Sequence, residues 1–264
     1  MSQWTEKSID LANQRNYLDL LYKVYPMSVN ARRDLPDETI TQIKKYLNQR
    51  QNDKLVELLL NQEIFPIKDS YVAYLKRDKS SLKRNPHTVE RLAGMLYEMG
   101  FSEIIDKTTQ PKETNRQIGP MFNNWIASGA LGVTLTSSHS TFLTSQNNMV
   151  LLTSDADKSL FAKKHLGYNH DKGLDFIGKF NNNYVVAEAK FLTDFGGHQN
   201  AQFNDAINTM TSKFNSVHKV IPISILDGVL YIRSDNKMYK AITNTYKDYY
   251  ILSAVLLRDF LFSL

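Results

Sequence analysis

Apolar residues recur at helical spacing along the first hundred residues of the chain. The pattern predicts helices within residues 9–22, 40–47 and 55–60. A further helix is predicted to begin at Pro86 and to stop at Gly100. We interpret this region as a helical packing layer.

The pattern changes in the middle of the chain, where two short apolar runs flank three asparagines. Residues 174–180 and 184–191 are rich in β-branched and aromatic side chains, which predicts a β-hairpin. Asn181 and Asn182 tolerate the positive φ values of a tight two-residue turn. The second run is nearly all apolar before Glu188, which is typical of a strand buried on both faces.

Three charged residues interrupt these runs, namely Asp175 in the first strand and Glu188 and Lys190 in the second. A two-residue loop would place Asp175 opposite Glu188, on the face that Lys190 shares. A three-residue loop would place Asp175 opposite Ala189 and split the cluster. An edge hairpin with a solvated polar face would account for the same charges without any chemistry.

Two carboxylates and an ammonium on one face have a definite chemical use. Carboxylates from adjacent strands make part of a ligand shell for Mg²⁺, which keeps several waters that phosphate oxygens of a substrate can replace. A lysine beside the metal can hold the attacking water or help to deprotonate it. The predicted face therefore fits metal-assisted hydrolysis of phosphodiesters.

Asp175, twelve intervening residues and then Glu188-Ala189-Lys190 resemble the active-site pattern of the PD-(D/E)xK nuclease superfamily. Within it, the size and layout of the chain resemble a type II restriction endonuclease of a restriction-modification system. The family pattern often has proline before the aspartate, where this chain has Leu174. The resemblance implies that Asp175 and Glu188 bind Mg²⁺, that Lys190 is the catalytic lysine, and that double-stranded DNA is cut at a specific short sequence. A repair or branched-DNA nuclease of the same superfamily and a non-catalytic DNA-binding module are the alternatives.

The regions around the hairpin supply candidate DNA contacts. Residues 107–118 form a polar linker, residues 134–148 are nearly all hydroxyl, amide and imidazole side chains, and a loop and helix follow residue 191. The candidates are Arg116, Gln117, Ser138, His139, Asp194, His198, Gln199 and Gln202. Linker, loop and helix-cap roles would account for the same residues. A basic, aromatic stretch at residues 67–86 could also bind phosphates, and a solvated face explains it equally well.

Other elements are predicted on both sides of the hairpin. A helix is predicted to begin at Ser154, which has the pattern of an N-cap. Residues 219–226 and 228–233 are predicted to be strands joined by a turn at Asp227-Gly228. Residues 243–264 are predicted to form a final helix, apolar over much of its circumference.

Composition narrows the class of protein. A chain of 264 residues with 42% hydrophobic residues can build one substantial core with an appended helical part. Cysteine is absent, which excludes thiol catalysis and cysteine zinc sites, and the six histidines lack zinc-protease spacing. The net charge of +5 favours a polyanionic partner. No apolar run is long enough for a membrane span and the first residues lack a signal-peptide core, so a cytoplasmic protein is expected.

The order of predicted elements fits an α/β fold, a mixed β-sheet flanked by helices, with a helical N-terminal part. The resemblance implies that this sheet is restriction-endonuclease-like. The predicted division is residues 1–106 for the helical N-terminal part and 107–264 for the α/β catalytic core. One cluster of Asp175, Glu188 and Lys190 makes one hydrolytic centre, whereas a double-strand break needs two. A homodimer acting on a two-fold symmetric DNA site is therefore expected.

Overall fold

The computed structural model describes residues 1–26, 32–111 and 117–264 of the chain. The chain divides into two compact units, one formed by Met1–Met27 with Thr114–Leu264 and the other by Ser28–Glu113. We call the first the sheet unit and the second the helical unit. The predicted division at residues 106 and 107 differs from this one in two places, because the first residues group with the sheet and the helical unit extends to Glu113.

The helices and strands of the described residues are as follows. The helices are α1 (Gln3–Ala12), α2 (Tyr17–Val24), α3 (Asp37–Asn48), α4 (Asn52–Leu60), α5 (Ser70–Arg77), α6 (Ser81–Arg84), α7 (Pro86–Thr108), α8 (Ile118–Ala127), α9 (His139–Thr144), α10 (Asp155–Leu166), α11 (Gly197–Met210), α12 (Lys237–Lys240) and α13 (Leu257–Phe262). The strands are β1 (Thr134–Thr136), β2 (Met149–Leu151), β3 (Phe176–Phe180), β4 (Asn183–Leu192), β5 (Val220–Gly228) and β6 (Ile251–Leu252). Short 3-10 turns cover Val229–Tyr231 and Ala254–Leu256, and a π-helical turn covers Ala241–Thr245.

The helical unit packs α3 to α7 around a core of its own. Leu55 and Leu59 on α4 and Leu92 on α7 are fully buried in one apolar cluster. Burial of a leucine of this kind stabilises a fold by roughly 1.5–3 kcal/mol. The stop predicted at Gly100 is a break instead, because Gly100 adopts φ +75° and the chain then resumes helix as far as Thr108. Among the described residues, no helix has the length and hydropathy needed to cross a membrane.

The sheet unit is built on a mixed sheet of six strands, counted over the described residues, in the order β1-β2-β3-β4-β5-β6. The strand pairs β1–β2, β4–β5 and β5–β6 are parallel. The pairs β2–β3 and β3–β4 are antiparallel. The predicted mixed sheet flanked by helices is thus confirmed, with the hairpin at its centre.

The first helix is fastened to the far edge of this sheet. Thr5 Oγ1 donates to the carbonyl of Ile251 at 3.0 Å, and the Ser253 amide donates to Ser8 Oγ at 3.0 Å. The Trp4 ring meets Phe260 edge to face, with centroids 5.6 Å apart. Helical periodicity in α1 therefore marks a helix that covers the sheet, not a part of the helical unit.

The turn predicted at Asp227-Gly228 was wrong, because both residues belong to β5. Asp227 is fully buried and accepts hydrogen bonds from Tyr17 Oη at 3.2 Å, Tyr25 Oη at 3.0 Å and the Ala254 amide at 3.1 Å. Gly228 has φ +99°, which leads the chain into a 3-10 turn instead of a second strand. Asp227-Gly228 thus has the sequence of a tight turn, although Asp227 is a buried carboxylate that accepts hydrogen bonds from distant elements.

The single final helix predicted over residues 243–264 was also wrong. Ile251 and Leu252 form β6, which pairs in parallel with β5 at Ser224 and Ile225, and α13 takes only Leu257–Phe262. The β6 strand and the α13 helix are both rich in apolar residues, and both are buried. Periodicity does not separate a buried strand from a buried helix in a short apolar run.

Candidate active site

The turn of the central hairpin has the length that the sequence predicts. Asn181 and Asn182 adopt φ values of +48° and +63°, and the residues that flank them, Phe180 and Asn183, pair directly. Asparagine accepts this left-handed conformation more readily than other residues with a side chain. The predicted two-residue loop is therefore the one observed.

Asp175 lies just outside the ladder of the hairpin. Phe176 pairs with Ala187, so continuing the same register by one residue places Asp175 opposite Glu188. The backbone bends at Asp175, and its amide donates to the carbonyl of Ala187 at 3.1 Å. The first strand thus delivers its carboxylate where the regular pairing ends.

The three charged side chains of the hairpin meet in one cluster. Lys190 Nζ donates to Glu188 Oε1 at 2.5 Å and to Asp175 Oδ2 at 3.4 Å. Asp175 Oδ2 also accepts from the Ala189 amide at 2.8 Å. The side chains of Asp175, Glu188 and Lys190 are 13%, 11% and 22% exposed, so the cluster is largely removed from solvent. A solvated edge hairpin does not describe this arrangement, because β4 lies inside the sheet.

Burial and mutual charge set the electrostatics of the cluster. Burial, together with the nearby Asp175 carboxylate, raises the pKa of Glu188 to about 7, although Lys190 opposes the rise. Burial lowers the pKa of Lys190, but Asp175 and Glu188 outweigh it, so its pKa is raised and the ammonium form is kept. Two carboxylates so close together in a low-dielectric site repel each other, and a cation between them relieves the repulsion.

The donor set fits a hard divalent cation. Glu188 Oε2 is buried and has no hydrogen-bond partner among the described residues, and it lies on the same face as the carboxylate of Asp175. The described residues contain no group of three or more His, Cys, Asp or Glu side chains able to hold a metal. A cation held by Asp175 and Glu188 would complete its shell with waters or substrate oxygens, as Mg²⁺ does.

A pocket of about 250 Å³ opens beside the cluster. Asp175 and Lys190 line it together with Gln202 of α11. The first residues of α8 form another side; they are Ile118, Gly119 and Pro120. Gln202 is thus the one predicted DNA contact in the described part of the chain that lines the same pocket as the charged cluster.

The other predicted contacts after β4 differ in what they do. Asp194 and His198 are exposed, and His198 Nε2 lies 3.2 Å from Gln202 Nε2. Gln199 is buried, with Oε1 accepting from the Thr193 amide and Nε2 donating to Thr193 Oγ1, each at 3.2 Å. Gln199 therefore fastens the loop to α11, and a contact between Gln199 and DNA stays a prediction.

Two of the predicted contacts before the hairpin, Ser138 and His139, have side-chain hydrogen bonds within the segments around α9 and α10. Ser138 caps α9 by accepting from the Thr141 amide. His139 is half-buried, and its Nε2 lies 2.9 Å from Asp157 Oδ2. Gln117 directly precedes α8, and Arg116 lies outside the described residues.

One residue at the site was missed in the sequence. Lys158 of α10 is buried, and its Nζ donates to the backbone carbonyl of Asp175 at 2.8 Å. A signal existed, because Lys158 lies three and four residues before the buried Phe161 and Ala162 and so on the apolar face of its helix. The helical periodicity indicates that Lys158 lies on the apolar face of α10, but it does not show that Nζ donates to the Asp175 carbonyl.

Comparison with family models matches residues 2–264 to the Tsp45I type II restriction enzyme. The comparison with curated proteins found no match, and the comparison with solved structures found none either. A family match over the whole chain rests on all of its elements, of which the hairpin cluster is a small part. The chain therefore belongs to the Tsp45I family of type II restriction enzymes, and it is a site-specific deoxyribonuclease.

Proposed function

We propose that this deoxyribonuclease cuts both strands of DNA by Mg²⁺-dependent hydrolysis at the cluster of Asp175, Glu188 and Lys190. The observation that carries the proposal is the buried Glu188 Oε2, which has no hydrogen-bond partner in the described part of the chain and lies near a second carboxylate and an ammonium. A buried polar oxygen without a partner is costly, and catalytic or metal-binding use is a common reason for one. The pocket beside it supplies room for a phosphate group.

In this proposal the two carboxylates hold the cation and the lysine holds the water. Bound Mg²⁺ supplies Lewis-acid polarisation of the phosphate and a more acidic water. Asp175 is held in place by the Ala189 amide, so its carboxylate needs little reorganisation on binding. Lys190 Nζ reaches both carboxylates, so it can orient a water at the same place and stabilise charge that develops on the phosphate.

We place the DNA backbone across the pocket, with α11 and the preceding loop beside it. Gln202 lines the pocket and His198 is its neighbour on the same helix, while Asp194 lies exposed on the loop. Ser138, His139, Arg116 and Gln117 remain candidates for contacts further along the duplex. Amide and imidazole side chains can bond to base edges as well as to phosphates.

The first test removes the carboxylates one at a time. Asp175→Asn and Glu188→Gln should each abolish cutting of plasmid DNA, because each replaces an anionic ligand with an amide of similar size. DNA binding, measured by gel shift in Ca²⁺, should persist. Glu6→Gln, an exposed change on α1, is the matched control and should cut normally. Near-normal cutting by either site variant would exclude this cluster as the active site.

The second test concerns the metal. Cutting should require Mg²⁺ or Mn²⁺, should stop in EDTA, and should fail in Ca²⁺, which accepts oxygen ligands but favours looser coordination. Discrete plasmid fragments are expected because the enzyme is site-specific. Robust turnover in chelator alone would point to a mechanism without a cation.

We further propose that the active species is a homodimer. One cluster per chain makes one hydrolytic centre, and a two-fold dimer would place a second, identical centre on the opposite strand. Light scattering on the free protein and on its DNA complex measures this directly. A monomer in both states, nicking one strand at a time at an asymmetric sequence, would contradict the dimer while leaving the proposed chemistry intact.

A further inference from the structure

We propose that Lys158 is a positioning residue, which holds the backbone of Asp175 so that its carboxylate faces Glu188. The inference rests on the proposed function of the cluster. It concerns a side chain that touches neither the pocket nor the reacting atoms, and that acts through a carbonyl of the chain.

The Lys158 ammonium is fully enclosed by acceptors. Its side chain is 2% exposed, and Nζ donates to the Asp175 carbonyl at 2.8 Å, Asp155 Oδ1 at 3.1 Å and Asn123 Oδ1 at 3.3 Å. An ammonium has three donors, so each has a partner. The contacts join α10, α8 and the segment that leads into β3, and they meet at the Lys158 ammonium.

The Asp175 carbonyl belongs to a residue whose backbone is not held by the regular pairing of the strands. The β3–β4 ladder begins at Phe176, so regular pairing does not fix the residue before it. The Asp175 amide is held by the Ala187 carbonyl and its carboxylate by the Ala189 amide, which are both on β4. Lys158 supplies the restraint from the other side, and the three contacts together fix both the bend of the backbone and the direction of the carboxylate.

The segment before Asp175 is held separately, so its position does not depend on the ammonium alone. The Leu174 amide donates to the Asp155 carbonyl at 3.2 Å, and a Cβ built on Gly173 would lie 3.0 Å from Asp155 Cβ. An uncharged side chain at position 158 would leave these contacts in place. It would remove the restraint on the carbonyl of Asp175, together with the contacts of the ammonium to Asp155 Oδ1 and Asn123 Oδ1.

Stability alone is a weak reason for a buried ammonium here. Enclosing a charge costs desolvation, and replacing a whole buried ion pair by apolar side chains of similar volume is often neutral or stabilising. A charged residue that orients a metal ligand is expected instead to affect metal affinity or activity, typically by roughly 10- to 100-fold.

The test compares two buried lysines that differ in what they hold. Lys158→Met removes the ammonium and keeps a side chain of similar length. Lys179→Met is the matched control, because Lys179 is also buried and its Nζ also donates to backbone carbonyls, those of Leu143 at 3.1 Å and Ser145 at 2.6 Å. Lys179 lies near the turn of the same hairpin, at the opposite end of β3 from Asp175.

Two quantities are measured on the full-length, folded proteins. The first is Mn²⁺ binding to the metal-free protein by calorimetry, and the second is the single-turnover cleavage rate as a function of Mg²⁺ concentration. Lys158→Met should bind Mn²⁺ roughly 10- to 100-fold more weakly and need correspondingly more Mg²⁺, while Lys179→Met keeps the wild-type values. If Lys158→Met fails to fold, Lys158→Gln is measured in its place, since it keeps an N–H donor on a shorter side chain.

The outcomes separate this inference from the proposed function. Wild-type Mn²⁺ affinity and Mg²⁺ response in a folded Lys158 variant would overturn the positioning role, even if the variant is less stable. Equal losses in the Lys158 and Lys179 variants would also overturn it, because the effect would then follow from removing any buried lysine of the sheet unit. If instead Asp175→Asn cuts normally, the proposed active site itself is wrong, whatever Lys158 does.

Discussion

Replacing Glu188 by glutamine should stabilise the metal-free protein while abolishing cleavage. Glu188 is 11% exposed, its Oε2 has no hydrogen-bond partner within residues 1–26, 32–111 and 117–264, and the carboxylate of Asp175 lies nearby. Glutamine has nearly the same shape and resembles the protonated form of the residue. The substitution therefore removes an unfavourable buried charge without opening a cavity.

The size of the effect follows from the pKa of Glu188. Burial and the Asp175 charge raise this pKa from 4.5 to about 7, which corresponds to roughly 3 kcal/mol of unfavourable free energy for the ionised form. A raised folded-state pKa means that stability is fully present below pH 4.5 and is lost as the pH rises through 7. The variant should therefore exceed the wild type by about 1 kcal/mol at pH 5 and about 3 kcal/mol at pH 8.

Urea unfolding in EDTA at pH 5 and pH 8 measures both values. Glu6→Gln is the control, and as an exposed change it should move stability by less than about 0.5 kcal/mol. Adding Mg²⁺ should stabilise the wild type and not the variant, because only the wild type would bind it. A variant that is no more stable than the wild type at pH 8 would refute the claim that the ionised Glu188 carboxylate destabilises the metal-free protein.

Three further predictions concern the scaffold. Asn182→Val should cost about 1–2 kcal/mol relative to Asn182→Gly in urea unfolding, because φ is +63° there; equal stabilities would contradict the turn. Gly228→Ala should lower stability by about 3 kcal/mol or more, or prevent folding, since its Cβ would lie 2.0 Å from the Leu192 carbonyl oxygen; a normal thermal transition would exclude that approach. Burial raises the pKa of Asp227 to about 6, so the wild type should lose about 2 kcal/mol between pH 4 and pH 7 that Asp227→Asn does not lose; identical pH profiles would refute this.

The parts of the fold that the sequence predicted are those set by local chemistry. The hairpin register follows from Asn181 and Asn182, because few other residues accept two consecutive positive φ values. The start of α10 follows from Ser154, whose Oγ accepts from the Asp157 amide at 3.2 Å. The same local chemistry predicts the proposed site, because the register of the hairpin and the shared face of its strands are enough to bring Asp175 close to Glu188.

The parts that could not be predicted depend on partners far away in the sequence. Asp227 is a buried carboxylate only because Tyr17 and Tyr25, two hundred residues earlier, donate to it. In isolation, Asp227-Gly228 has the composition of a turn. Lys158 is similar, because a lysine among apolar helix positions indicates burial, while its target carbonyl depends on how the helix meets the strand.

The placement of Gln199 has a consequence for how recognition and cleavage would be linked. Its side chain bonds twice to Thr193, the residue that follows β4, and so ties the start of α11 to the end of the strand that carries Glu188 and Lys190. A loop held only by its ends would let the helix drift relative to the strand, whereas this pair of bonds fixes one against the other. If Gln202 contacts DNA as proposed, the base or phosphate that it binds lies at a fixed offset from the phosphate at the cluster. Binding of the wrong sequence would then displace the scissile phosphate as well, because a helix tied to the strand cannot adjust on its own.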